Sequence, residues 1–433
     1  MRIFLITFSF PYPLAAEDSF LNNELFGYLE WRKNKPDIEL VLVPGNRDSR
    51  SASKQNDSIV LDESLLKIRN KIRRTRKIRM IILFGKNIRF FFQERRDQFN
   101  TSLKLDIQKY LKWCDEKVVV DKALKSGWLK DLEIDDVVYT WWLSGYTHAL
   151  VSSKKLKKKN ALIVSRAHGG DLFRVRGVQV RQIETVNLCR KVFPSTFRGL
   201  EDLVKRGANE SILERRVLGV QSDKSEIEPN QVKKYSFASH TNEIQIITIS
   251  GIDPVKDLGR LAKYLNEISS TTRKVRWHHF GESVDALIDA SLNGIKNDNF
   301  SAVSFGQLSN IEIQKILRTY STQSNAIMVN FSISEGSALS LVEAVSNGVP
   351  VIGRDVGGVS EIVNEQTGVL LPEIPTTVDL QNAIDEILMK RDQLIGSCLV
   401  YYKNNYEAKK IYGNFYDSIC KLNHLAELET KNK

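Results

Sequence analysis

An α/β architecture of two Rossmann-like domains in series is expected from three features of this sequence. The chain has 433 residues, room for two or three domains at about 150 residues each. Short β-rich apolar runs alternate with helix-length stretches through both halves, as in parallel strands joined by crossover helices. Between the halves, residues 221–242 are polar, contain Pro229 and show no apolar periodicity, so they read as a linker. The expected domains are residues 1–222 and 223–400.

The first half opens with a buried strand over residues 2–8, followed by Phe20, Leu21, Leu25, Tyr28 and Leu29 at helical spacing behind an Asp18 or Ser19 cap. Further strands are expected at 38–43, 117–120, 137–141, 161–164 and 191–193, each separated by enough chain for a crossover helix. Beyond the linker the rhythm restarts, with strands at 244–249, 275–280, 302–305, 327–330, 349–352 and 369–371 and a helix at 311–317. No fixed-period repeat is visible, which excludes solenoids and propellers.

Composition narrows the class. Apolar residues at 42% and charged residues at 27% are ordinary globular usage, and 24 Gly with 10 Pro are too few for a fibrous or low-complexity chain. Cys114, Cys189, Cys398 and Cys420 form no CxxC pair, which argues against a disulfide framework or zinc knuckle and fits a reducing cytosol. The N-terminal MRIFLITFSFPYP has one Arg and no small-residue cleavage site, so it reads as a first strand rather than a signal peptide. The longest uncharged stretch, 137–153, includes Thr140, Ser144, Gly145, Thr147 and His148 and falls short of the roughly 18 to 20 apolar residues of a spanning helix.

The net charge of +11 belongs to the first half: residues 1–220 hold 42 Lys/Arg against 26 Asp/Glu, the remainder 21 against 26. Residues 67–89 carry ten basic side chains and no acid, interleaved with Ile68, Ile72, Ile78, Ile81, Ile82 and Leu83 and followed by Phe90, Phe91 and Phe92. Five Lys crowd residues 154–159. A cationic face with apolar neighbours suits an anionic membrane surface. It is preferred to nucleic acid because no nucleic-acid motif accompanies the charge. A merely solvated face is the plainer alternative, above all for 154–159.

In doubly wound sheets ligands bind outside the carboxyl ends of strands, and with two domains the cleft between them is the expected site. The densest loop of this kind, SISEGSALSLVEA, starts at Ser332, directly after the 327–330 strand, and runs into a helix expected from about 337 to 346. Small residues at a helix N-terminus leave N–H groups open, and the helix dipole favours an anion such as pyrophosphate there. Glu335 before the helix suits sugar hydroxyls, and Glu343 two turns in suits a ribose diol. As isolated glutamates they would be an N-terminal helix charge and a solvated helix residue.

EGSALSLVEA, followed by NGVPVIGRDVGGVSEIV and TGVLLP, resembles the Glu-x7-Glu donor-binding signature of the retaining glycosyltransferases of family 4 (group 1). Similar family features are ITISGIDPVKDL (247–258), VRWHHFGES (275–283), FGQLSNIEI (305–313), AEDSFLNNEL, DVVYTWWLSGYTHAL and VSRAHGGDLF (164–173), in family order over most of the chain. The resemblance implies the GT-B fold, two facing Rossmann-like domains with an inter-domain cleft, and C-terminal helices at 401–425 that cross back onto the first domain. It is closest in kind to enzymes that build bacterial surface polysaccharides.

By that resemblance Glu335 holds the donor sugar hydroxyls and Glu343 the ribose diol, while Gly336, Ser337, Ala338 and the amides of Leu339, Ser340 and Leu341 line the donor sugar and phosphates. Lys256 neutralises the diphosphate leaving group. His168 matches the family histidine near donor sugar and acceptor, although a lone histidine is more often a structural hydrogen-bonder. Arg166 and Asp171 beside it, and Glu17, Asp18 and Phe20 after the first strand, are candidates for the acceptor pocket. Gly251 stands where many relatives have an Arg, and Pro-Leu-Ala-Ala-Glu replaces the glycine-rich loop after the first strand.

The resemblance also implies retention of anomeric configuration by front-face substitution, and the motif set offers no carboxylate placed as a nucleophile. No Asp-x-Asp metal signature is evident, so metal independence is expected, with no cofactor beyond the nucleotide-sugar substrate, UDP-linked by preference. The expected acceptor is a glycan or a glycan on polyprenyl diphosphate, the expected location the cytoplasmic face of the membrane. Two other classes stay open: a sugar-nucleotide epimerase or phosphorylase on the same scaffold, and a membrane-docked subunit that binds nucleotide sugar without turnover.

Overall fold

The computed structural model describes residues 1–12, 15–47, 58–96, 102–172, 180–222, 243–270, 273–295, 297–323 and 325–431. All but the first two residues of the linker at 221–242 lie outside this set. The chain divides into two units, residues 1–217 with 409–433, and residues 218–408.

The first unit runs β1 (Arg2–Thr7), α1 (Ala15–Arg32), β2 (Glu39–Pro44), β3 (Ile59–Leu61), α2 (Ser64–Lys71), α3 (Arg73–Lys86), α4 (Ile88–Arg96), α5 (Leu103–Lys125), β4 (Val137–Thr140), α6 (Gly145–Val151), α7 (Lys154–Lys158), β5 (Leu162–Ala167), α8 (Gly169–Leu172), α9 (Gln182–Leu188), β6 (Lys191–Pro194) and α10 (Phe197–Lys205). Its six strands are parallel in the order β3-β2-β1-β4-β5-β6. Helices cover both faces of such a sheet, so its strands are buried on both sides and read as unbroken apolar runs, as β1 and β4 do.

The strand expected at 117–120 is a correction: those residues lie inside α5. Ser102 caps this helix by accepting from Leu105 N at 3.2 Å. Tyr110, Trp113, Cys114, Val118, Val119, Val120 and Leu124 are all buried along it. A helix enclosed on most sides tolerates a β-branched run, because packing outweighs the few tenths of a kcal/mol per residue of propensity. The short edge strand β3 is not among the expected strands.

The second unit has β7 (Glu243–Ile249), β8 (Lys274–Phe280), β9 (Phe300–Ser304), β10 (Ala326–Asn330), β11 (Val351–Arg354) and β12 (Gly368–Leu371), parallel in the order β12-β11-β10-β7-β8-β9. Both sheets thus have the doubly wound order, with the direction of strand addition reversing between β1 and β4 and between β7 and β10. The last helix, Ala408–Lys431, is assigned to the first unit from Lys409 onward. There Trp31 Nε1 donates to Asp417 at 2.9 Å, and the Tyr28 and Tyr416 rings meet edge-on at 5.1 Å.

Candidate functional site

The candidate donor residues of the second unit come from the two strands that flank its reversal point. After β7, the Asp253 side chain accepts from Val255 N at 3.0 Å and starts a single 3-10 turn, Pro254–Lys256. Ile333 N, in the loop after β10, donates to Val255 O at 2.8 Å, which ties the two loops together. The tie brings the Lys256 ammonium onto the Glu335 carboxylate. Glu335 also accepts from Asn330 Nδ2 at 3.1 Å and Ser332 Oγ at 2.8 Å. Burial alone would raise its pKa, but the charge and hydrogen bond of Lys256, with Asn330 and Ser332, outweigh burial and hold it below the ordinary carboxylate value. Glu335 is therefore an ionised acceptor, and Lys256 a cation set beside it.

The helix that follows is Leu339–Ser346, and no side chain caps it. The first N–H groups of a helix lack intrahelical acceptors, so those of Leu339 and Ser340 point out of its end. Leu341 is a correction: its amide donates to Ala338 O at 2.9 Å and its side chain is fully buried, so neither is open to a ligand. Ser337 Oγ is buried without a hydrogen-bond partner at the same end. Glu343 is buried, and Asn310 Nδ2 donates to it at 2.5 Å. Burial pushes its carboxyl up to about 7, with Asn310 opposing.

Three features of this loop were not legible as site residues. Gly357, with φ +53°, approaches Glu335 so closely that a Cβ would lie 1.8 Å from the Glu335 carbonyl oxygen, and Gly358 N donates to Gly336 O at 3.1 Å. The VGG of the next loop thus holds the Glu335–Gly336 backbone in place. Asn330 and Asn310 orient the two glutamates from 5 and 33 residues away. The only signal for them was position, at a strand end and a helix start.

In the first unit, His168 follows β5 and is buried against Trp141 and Trp142, with ring centroids at 4.6 and 5.1 Å, and Phe20 at 6.4 Å. Burial, then the Arg166 charge, lower its pKa to about 3 against a bond to the Trp141 backbone. The imidazole is neutral near pH 7, and Nε2 is buried without a hydrogen-bond partner. Asp171 accepts from His168 N at 3.1 Å and Leu143 N at 3.3 Å, which fixes the histidine loop to the loop after β4. Burial pushes the Asp171 carboxyl up to about 6.

Two acceptor candidates take other roles. Glu17 accepts from the amides of Phe8, Ser9 and Phe10 at 2.7 to 2.8 Å and from Trp142 Nε1 at 2.6 Å, so its carboxylate shapes the loop after β1 and has little capacity for a ligand. Arg166 is completely buried: it donates to Tyr139 OH at 2.8 Å and Arg216 O at 3.1 Å and pairs with Glu24 at 3.3 Å. It is a structural cation rather than a pocket residue. Asp18 keeps Oδ1 buried without a partner, and burial followed by the Glu17 charge raises its pKa. Among the described residues, no group of three or more His, Cys, Asp or Glu converges as metal ligands would.

Residues 231–406 match the model of the family described as glycosyl transferases group 1. The match falls within the second unit. A relative, the GtfA subunit of the UDP-N-acetylglucosamine–peptide N-acetylglucosaminyltransferase of Streptococcus pneumoniae, is 27% identical over 207 residues, covering 42% of this chain and 39% of that one. The chain thus spans well under half the length of that relative. Anabaena HepE in complex with UDP and glucose is similar in structure, with TM-score 0.61 and 12% identity over 97% of this chain and 99% of that one. Sucrose-phosphate synthase from Thermosynechococcus elongatus has TM-score 0.66 and 13% identity over 96% and 98%. With the group 1 match in the second unit, they give the chain the two-domain α/β fold of the GT-B glycosyltransferases. Lys256, Glu335 and Glu343 all fall within the matched residues.

Proposed function

We propose that this protein is a retaining glycosyltransferase of family 4 that moves a sugar from a UDP-sugar to a glycan or lipid-linked glycan in surface-polysaccharide assembly. The observation that carries the reading is the Lys256–Glu335 pair at an uncapped helix N-terminus, with Glu343 buried in that same helix. A ribose diol donates to Glu343, and the diphosphate lies against the open amides, the Ser337 hydroxyl and Lys256. Ionised Glu335 accepts from the sugar hydroxyls.

As the bond from the anomeric carbon to the β-phosphate oxygen breaks, its electron pair passes to that oxygen, and Lys256 with the helix end stabilises the charge. The acceptor hydroxyl attacks from the same face and its proton goes to the departing phosphate, so no protein nucleophile is required. With a pKa near 3, His168 serves as a neutral hydrogen-bonding group that positions substrate rather than as a proton carrier. Lys256 supplies the cation that a divalent metal would otherwise supply, so the reaction is metal-independent.

UDP is the preferred nucleotide because HepE was solved with UDP and glucose, and the pneumococcal relative is named for UDP-N-acetylglucosamine. That name also gives a peptide acceptor a place in the test. Thermal-shift and calorimetric titration with UDP-, GDP- and ADP-sugars comes first, on wild type and Glu343→Ala. Turnover then follows with lipid-linked glycan and peptide acceptors, with chelator present, the product's anomeric configuration being read by NMR. Selective UDP-sugar binding lost in the variant, and a retained anomer, are expected. Donor change without acceptor would indicate an epimerase, and binding without turnover in any acceptor mixture a non-catalytic subunit.

A further inference from the structure

The α3 helix carries two apolar stripes where packing needs one. Met80, Leu83 and Phe84 face the protein: the Phe84 ring lies 5.1 Å from Tyr110 and 5.6 Å from Phe91, and Met80 and Leu83 pack on the same cluster with Trp113. Ile78, Ile81 and Ile82 fall on the other side and are 61%, 67% and 52% exposed. On α4, Phe92 is 59% exposed. Around them stand Arg73, Arg74, Lys77, Arg79, Lys86 and Arg89, all exposed, and none of these pairs with an acid among the described residues. Arg69 and Arg76 are held instead by Asp115, and Arg95 by Asp106.

We propose that the outer face of α3 and α4 docks the protein on an anionic lipid bilayer, with Ile78, Ile81, Ile82 and Phe92 entering the boundary between headgroups and acyl chains while the surrounding cations meet lipid phosphates. Charge selects this occupant. A second copy in a two-fold contact would set the same cations against one another, and a nucleic acid would leave the isoleucines facing water or phosphate. No described helix is long and apolar enough to cross a membrane, so the contact is interfacial. The α5 helix under α3 also carries Lys109, whose Nζ lies 3.4 Å from Gly170 O beside His168. One helix therefore links the docking face to the histidine loop, which places that loop near a lipid-borne acceptor.

The surface stands independently of the donor chemistry. The test is co-sedimentation of the full chain with vesicles of phosphatidylcholine, with and without phosphatidylglycerol, at physiological ionic strength. The wild type is expected to pellet with the anionic vesicles only. Ile78→Ser/Ile81→Ser/Ile82→Ser and, separately, Arg73→Glu/Arg74→Glu/Lys77→Glu are each expected to lower partitioning about tenfold or more, with unchanged circular dichroism, melting temperature and donor thermal shift. A wild type that stays in solution with anionic vesicles, or an isoleucine variant that binds as wild type does, overturns the proposal. So does a concentration-dependent dimer abolished by the isoleucine changes, or duplex DNA binding with no vesicle binding.

Discussion

At Glu343 a single amide, from Asn310, meets a carboxyl that burial pushes up to about 7, against an ordinary 4.5. Because the folded value lies above the unfolded one, the group's contribution to stability is complete below pH 4.5 and is lost as pH rises through about 7. By pH 8 that loss is roughly 3 kcal/mol. Glu343→Gln keeps an acceptor for Asn310 and removes the charge. Urea melts should find it more stable than wild type at pH 8 and nearly equal at pH 5, while UDP-sugar affinity falls about tenfold or more for want of the charged acceptor. Wild-type donor affinity should likewise decline as pH drops below about 7. A Gln variant that binds donor normally would remove the ribose from Glu343. Glu335 runs the opposite way: its pKa is lowered, so its contribution is present above pH 4.5 and lost as pH falls below that value. In Lys256→Met it keeps only Asn330 and Ser332. The variant should lose roughly 1–3 kcal/mol at pH 7, a deficit that shrinks in acid, and kcat should fall on the order of 100- to 1,000-fold. Unchanged turnover would refute a leaving-group role for Lys256.

Those residues work through the loops that present them. Gly357→Ala would drive a methyl to 1.8 Å from the Glu335 carbonyl at a φ of +53°, so backbone must move. The expected cost is about 2–4 kcal/mol, accompanied by a larger fall in donor affinity than the stability loss explains. Gly85→Ala, on exposed α3 with open space at its Cβ, is the control and should be neutral or stabilising. A Gly357 variant with wild-type donor binding would show that the loop tolerates movement. This geometry also explains what could be read in advance. The placement of Lys256, Glu335 and Glu343 on the segments that follow β7 and β10 was legible, because loops and helices follow strands in a doubly wound sheet and the motif marks which strands. The partners Asn310 and Asn330 and the Gly357 clamp were not, because contacts between distant loops leave no local pattern. Glu17 and Arg166 lie in motif-like stretches, but sequence does not show that backbone amides occupy the first and Glu24 the second. The Val118–Val120 run has the composition of a strand, and only its enclosure in α5 makes it helical.

The chain order of the two sheets repeats, yet the last helix leaves the unit that precedes it and completes the first. Its anchor is a buried polar group: Tyr139 and Tyr416 donate to Glu24 at 3.0 and 3.1 Å, and the Arg166 guanidinium pairs with Glu24 and lies 4.1 Å from the Phe415 ring centroid. Each member contributes by having its charge or hydroxyl met, so removing one leaves the others unmet. Arg166→Met should cost about 3–5 kcal/mol, because Glu24 is left buried without its cation. Adding Glu24→Gln should recover about 1–2 kcal/mol of that loss, since a neutral acceptor still serves both tyrosines. Hydrogen exchange locates the effect. In wild type the amides of residues 409–425 should open with those of β1, β4 and β5, and in Arg166→Met both groups should lose protection while β7, β10 and β11 keep theirs. If residues 409–425 exchange instead with the second sheet, the helix belongs energetically to the unit it leaves, and the first sheet must be stable without it.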